Sequence, residues 1–195
     1  MEIAPSYRES QRARLRDALV SAARELTVTN GWNTVRMVDV ARAAGVSRQT
    51  VYNEFAGRDG LAEAIAVREI ERFTTAVHTA LSAHGGDVRA AAHAAVLHTL
   101  REAADNALVR AILTSSRGGD ELLPFLTTRS GTVLTLAGEV IAAWAAAHLP
   151  GSDPAAVAFA GDSVIRLTVS HIMLPSATPE ATATALADVF VRLLA

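Results

Sequence analysis

Five polar side chains close together set the chemistry open to this chain: Ser47, Arg48, Gln49, Thr50 and Asn53. They sit within the stretch Val38-Asp39-Val40-Ala41-Arg42-Ala43-Ala44-Gly45-Val46-Ser47-Arg48-Gln49-Thr50-Val51-Tyr52-Asn53-Glu54-Phe55. Side chains that mix hydrogen-bond donors and acceptors are what base edges in a DNA major groove require. Helical spacing puts Arg48, Gln49, Thr50 and Asn53 on an outer side and leaves Val51 and Phe55, four residues apart, to pack inward.

The elements that would hold these groups are two short helices. Val38, Ala41 and Ala44 repeat at helical spacing, Gly45 can take a positive φ, and Ser47 can cap the helix that follows. One helix stops and another starts within three residues, which is the arrangement of a helix-turn-helix; an ordinary surface αα-hairpin is the alternative.

Catalysis has no comparable foothold. The chain has no His-Glu-x-x-His, no nucleophile elbow and no glycine-rich phosphate loop after a strand; Gly118-Gly119 falls between two helical segments. His93 and His98 are five apart, off a single helix face for chelation. With no cysteine, a disulfide framework, a thiolate zinc site and a cysteine nucleophile are excluded together. The expectation is no enzyme, no metal and no cofactor. An all-α enzyme or an architectural DNA-binding protein remains as a distant alternative.

The 195 residues are half hydrophobic, enough to bury a real core. Every basic residue is arginine, and the net charge of -2 is unevenly spread. Residues 1–58 carry nine arginines against six acids, whereas residues 59–195 carry nine against fourteen. A basic head on an acidic body fits a DNA reader with a separate second part. No signal peptide and no uninterrupted apolar run of about 18 residues is present, so a cytoplasmic protein without a membrane partner is expected.

Ser6 and Glu9 have capping-box spacing, and Leu15, Leu19, Ala22 and Leu26 mark one apolar helix face that Asn30-Gly31 ends. Arg8, Arg12, Arg14 and Arg16 lie on the early turns, as a solvated face or a phosphate-contacting arm. Gly31 to Thr34 reads as a turn, with Trp32 folded onto a small core. After the helix-turn-helix, Ala56-Gly57 breaks the chain before Arg58-Asp59-Gly60, and a long helix follows from Leu61 through Ile65, Ile70, Phe73 and Val77 to Leu81. His84-Gly85-Gly86 closes it, and Asp87 caps a helix with a small-residue face at Ala91, Ala92 and Ala95.

A short helix at residues 108–113 and a long segment over 121–149 come next. Pro124 is tolerable in the first turn of that segment, and Gly131 and Gly138 imply close approach or bending inside it. Asp153-Pro154 and Thr178-Pro179 are cap-then-proline helix starts. Val157 to Leu174 is apolar on nearly every side, which predicts burial all round. Covering the last two helices with the same pair from a second copy gives a four-helix homodimer interface, with Leu186 and Val189 as contacts. The fold class is all-α, about nine helices.

Residues from roughly 10 to 70 resemble the tetracycline-repressor (TetR) family of bacterial regulators. Gly31-Trp32, Val38, Val40-Ala41, Ala44-Gly45-Val46-Ser47, Thr50-Val51-Tyr52, Phe55 and Arg58 followed by Leu61 carry the resemblance. It implies a DNA-binding domain over residues 8–70, with the helix-turn-helix at about 36–55, and an effector-binding and dimerisation domain over 71–195. The implied function is a transcriptional regulator, most simply a repressor released from a palindromic operator by a small lipophilic molecule; an activator is the alternative. Gln49, Thr50 and Asn53 would lie nearest the bases, Ser47 and Tyr52 on phosphates, and Arg58 would hold a phosphate where the family usually has lysine.

Two positions depart from the family pattern. Arg36 stands where a capping threonine or serine is common, so Thr34 would share the capping and Arg36 would touch a phosphate. Glu54 is an acid where histidine or tyrosine is common, and it either accepts from a cytosine amine or is held off the DNA backbone by a neighbouring arginine. For the effector the resemblance points to Phe73, Val96, Leu122, Phe125, Leu126, Trp144 and Phe159 as an apolar lining, with ordinary core as the alternative for each. Arg166 or His171 would anchor an acidic head group of a fatty-acid-like ligand, and His98 and Arg110 are further candidates. The alternative for Asp162 and Arg166, four apart, is an intrahelical or cross-dimer salt bridge.

Overall fold

A computed structural model describes residues 7–106, 108 and 130–195. Among these residues there are eight α-helices: α1 (Tyr7–Asn30), α2 (Met37–Ala43), α3 (Arg48–Phe55), α4 (Arg58–Ser82), α5 (Val88–Asp105), α6 (Ser130–His148), α7 (Pro154–Met173) and α8 (Pro179–Leu194). A 3-10 turn at Trp32–Thr34 joins α1 to the segment before α2. The Ser6 cap, the helix expected at 108–113, and Pro124 fall wholly or largely outside the described residues.

The chain divides into two compact units, and the boundary between Arg68 and Glu69 lies inside α4. The first unit closes on one core built from Leu19 and Ala23 of α1, Trp32, Val40 and Ala41 of α2, Val51 and Phe55 of α3, and Leu61 and Ile65 of α4. Leu19, Val40, Val51 and Leu61 are wholly buried. The inward face of α2 is Met37, Val40 and Ala41, while Val38 is 41% exposed. The face expected at Val38, Ala41 and Ala44 is therefore turned by about one residue, because the bulkier Met37 takes the inward position.

Helix ends follow local chemistry. Gly45 has φ +68, and the Ser47 side chain accepts from the Thr50 backbone N–H at 3.1 Å. A cap of this kind contributes about 1 kcal/mol. Asp87, Asp153 and Thr178 cap α5, α7 and α8 in the same way. No side chain caps α2: Arg36 is the N-cap residue without a capping bond, and Thr34 Oγ1 donates back to the Asn30 and Gly31 carbonyls at 3.0 Å each. The capping role expected of Thr34 is thus corrected; its hydroxyl closes the preceding turn.

The junction after α3 is tighter than the sequence predicts. Ala56 takes the left-handed conformation at φ +58, and α4 starts at Arg58, three residues before Leu61. Gly60 lies inside the helix, where a Cβ would stand 2.1 Å from the Phe55 carbonyl oxygen. Gly60 is thus a close-approach residue.

In the second unit α5 and α8 form the most extensive helix pair, and α7 packs against α5, α6 and α8. Ala91, Ala92 and Ala95 of α5 share a core with Ala183, Leu186, Ala187 and Phe190 of α8, so the small-residue face allows the close pairing that the sequence predicts. The last two helices differ here. Leu186 is 4% exposed and Val189 packs on the same core, so α8 spends its apolar face inside its own chain. The face left open is on α7, where Phe159, Leu167, Val169 and Met173 are exposed and only Val157, Ala160, Gly161, Val164 and Thr168 are buried.

By length and composition α7 could cross a membrane. It carries an Asp162–Arg166 ion pair mid-helix and packs on three neighbours, which marks it as a bundle helix. Among the described residues no atom comes within 4 Å of a Cβ added to Gly138, and one added to Gly161 would touch the Ile141 side chain at 3.4 Å, an ordinary van der Waals contact.

Candidate nucleic-acid interface and effector cavity

The outer side of α3 presents a connected set of polar groups. Gln49 Nε2 donates to Asn53 Oδ1 at 2.8 Å, one turn along the helix. Arg48 lies over the Tyr52 ring at 5.1 Å and donates to its hydroxyl at 3.3 Å. Ser47 Oγ and Thr50 Oγ1 are 2.8 Å apart. Ser47, Arg48, Gln49 and Asn53 are exposed, and Thr50 and Tyr52 half-buried, while Val51 and Phe55 hold the opposite side in the core. The set is an amide pair, two hydroxyls, a phenol and a guanidinium on one exposed helix face, which suits base edges and phosphates together. Arg36 is exposed at the start of α2.

Arg58 is turned inward. Its Nη2 donates to the Trp32 carbonyl at 2.5 Å, and its guanidinium sits 4.7 Å from the centre of the Trp32 ring. These contacts clamp α4 to the turn after α1, because the buried Trp32 carbonyl and ring face offer a cation a site close to its own helix start. Glu54 resolves in the other direction. Its carboxylate is met by Arg12 Nε at 3.0 Å and by Arg16 Nη1 at 3.1 Å, both from α1.

Within the second unit an apolar cavity of about 190 Å³ lies among five helices. Phe73, Val77 and Leu81 come from α4, Ala92, Ala95, Val96 and Thr99 from α5, Ala137 and Ile141 from α6, Val164, Ile165, Thr168, Val169 and Ile172 from α7, and Phe190 from α8. No charged side chain is among these. Among the described lining residues Thr99 and Thr168 supply the only hydroxyls, and each donates to a carbonyl of its own helix, Ala95 and Val164, at 2.8 Å. What remains toward the cavity is hydrocarbon and two hydroxyl oxygens able to accept.

Of the lining read from sequence, Phe73 and Val96 are at the cavity. Trp144 is buried in the surrounding core and stacks on His148 at 5.8 Å, away from the cavity wall. Phe159 is 64% exposed on the open face of α7. Leu122, Phe125, Leu126 and Arg110 lie outside the described residues. Arg166 is an exposed partner of Asp162 at 2.8 Å, and both line a separate surface groove of about 350 Å³ between α6 and α7. The hydrogen bond and charge of Asp162 raise the Arg166 guanidinium further above its ordinary value.

His171 lies near the end of α7 beside Ser176, at 3.4 Å, and is not part of the cavity wall. On α7 residue 166 lies off the face formed by 164, 168 and 172, whereas 171, seven positions after 164 and three after 168, shares that face without being among the lining residues. The signal that could have found more of the lining was the i, i+4, i+8 row Phe73, Val77, Leu81 together with Val164, Thr168 and Ile172.

These features find counterparts among known proteins. Residues 19–65 match the bacterial regulatory proteins of the tetR family, and residues 87–192 match the C-terminal domain of the bacterial tetracycline repressor. The HTH-type transcriptional regulator AlkX of Mycobacterium tuberculosis is 37% identical over 176 residues, 90% of this chain and 81% of the relative. The TetR family repressor AlkX from a Dietzia strain, implicated in biodegradation of n-alkanes, superposes with a TM-score of 0.72 at 30% identity, covering 91% of this chain and 94% of the other. A TetR-family regulator structure from Mesorhizobium loti shares the fold at 14% identity, with a TM-score of 0.65 and coverage of 93% and 97%. An exposed polar face on a helix-turn-helix, a helical second unit and matches that span both place this chain in the TetR family of DNA-binding transcriptional regulators.

Proposed function

We propose that the chain is a cytoplasmic repressor that binds a palindromic operator as a homodimer and is released when an uncharged aliphatic molecule fills the cavity of the second unit. The observation that carries the ligand class is the wall itself: its fifteen described lining residues are thirteen apolar side chains and two threonines, so a carboxylate finds no cation among them. A hydrocarbon, alcohol or ester gains burial there without leaving a charge unpaired. The similarity to a repressor implicated in n-alkane biodegradation supports the same class.

For scale, an apolar cavity of about 150 Å³ accommodates benzene, so 190 Å³ holds a small ligand or one segment of a longer chain. The fatty-acid-like ligand expected from sequence is narrowed to its neutral relatives. Release follows if the ligand prefers a conformation that binds the operator less well, and α4 is the natural carrier because it supplies both Leu61 and Ile65 to the head core and Phe73 and Val77 to the cavity. The homodimer is supported by the open apolar face of α7, which a second copy would cover.

The test compares an n-alkane, the alcohol of equal length and the corresponding carboxylate. The neutral pair is expected to raise the melting temperature and dissociate the protein from operator DNA selected from genomic fragments. A response to the carboxylate alone, or to none of the three, would overturn the assignment.

A further inference from the structure

The arginines of α1 and the acid at the end of α3 form a closed group within the first unit. Arg12 Nε and Arg16 Nη1 contact the two carboxylate oxygens of Glu54, and Arg16 Nη1 also donates to the Glu54 backbone carbonyl at 3.3 Å. The Arg16 guanidinium lies 4.7 Å from the centre of the Phe55 ring. The Glu54 side chain is 9% exposed, whereas those of Arg12 and Arg16 are 70% and 45% exposed. The acid is enclosed, and the cations reach outward around it.

Glu54 directly follows Asn53 on the DNA-reading helix, so an unpaired carboxylate there would repel the phosphate backbone. Two unpaired arginines at the same place would bind it without regard to sequence. We infer that Glu54 is a specificity-determining residue: it holds Arg12 and Arg16 against α1 and α3 and thereby withholds two cations from sequence-independent phosphate contact. The group carries one net positive charge instead of two, and its geometry is fixed at both carboxylate oxygens. Glu54 touches no base in this role; it acts through the arginines. The inference rests on α3 being the helix that reads DNA.

The experiment measures binding of the full-length protein to its selected operator and to a mixed-sequence duplex across a range of salt. Glu54→Gln keeps the shape and removes the charge. It is expected to tighten mixed-sequence binding several-fold, to reduce the ratio of operator to mixed-sequence affinity, and to steepen the salt dependence by about 0.9 for each arginine that reaches a phosphate. Adding Arg12→Gln and Arg16→Gln to that variant should return the salt dependence to its original value. Glu54→Asp, which retains the charge, should leave it near the original.

An unchanged salt dependence in Glu54→Gln, or a steeper one that persists without the two arginines, overturns the inference. Gln49→Ala on the otherwise native protein separates the underlying premise: if it leaves operator affinity intact, α3 is not the reading helix. Melting curves of each variant confirm that folded protein is compared.

Discussion

Gln49 presents an amide that is already oriented on the exposed face of α3. One of its Nε2 hydrogens is committed to Asn53 Oδ1 at 2.8 Å, which leaves the second hydrogen and Oε1 as an adjacent donor and acceptor. That pair matches N7 and N6 of adenine in the major groove. Gln49→Ala is therefore expected to weaken operator binding by about 1–3 kcal/mol and to relax the preference at one base pair. Fluorescence anisotropy with operator and single-base variants checks this, and equal losses at every base would contradict a base-reading role. The residue types and their outward spacing were legible in the sequence, as was the Ser47 cap, because both depend on neighbours within one turn. The inward turn of Arg58 onto Trp32 was not, since its partner lies 26 residues away.

At the level of elements, the placement of α3 depends on its junction with α4. Ala56 accepts a left-handed backbone, Gly57 extends the chain, and the Phe55 carbonyl then presses on Gly60. A methyl group at residue 60 has no space, and the atom it meets is backbone, which cannot swing away. Gly60→Ala is expected to lower stability by about 1–3 kcal/mol, in the range of overpacked sites, and to reduce operator affinity as α3 shifts. Urea denaturation gives the first and DNA titration the second; a variant as stable as the original would mean that the junction relaxes freely. The sequence marked the break at Ala56-Gly57 but not the close approach at Gly60, because a helix start and a loop share the same residue types.

For the whole molecule, the deciding contrast is between α7 and α8. Both look apolar in sequence, yet α8 buries Leu186 and Phe190 in its own core while α7 leaves Phe159 and Met173 open. Phe159→Asp is expected to give a folded monomer with weakened operator binding, seen by sedimentation and circular dichroism. Leu186→Asp should instead destabilise the subunit by more than about 3 kcal/mol, since it removes a core side chain and buries a charge. A dimeric Phe159→Asp protein would place the subunit contact on another surface.

The sequence by itself determined the helices, most of their caps, the helix-turn-helix and its outward polar face, all of which are written in periodicity and turn chemistry over a few residues. Only the tertiary structure decided which partner each face meets: Arg12 and Arg16 for Glu54, the chain's own core for the buried side of α8, open surface for Phe159, and an uncharged wall for the cavity of the second unit. A helix that is apolar on more than one side declares that it will be covered, but its pattern is the same whether the cover is a neighbouring helix, a ligand or a second subunit.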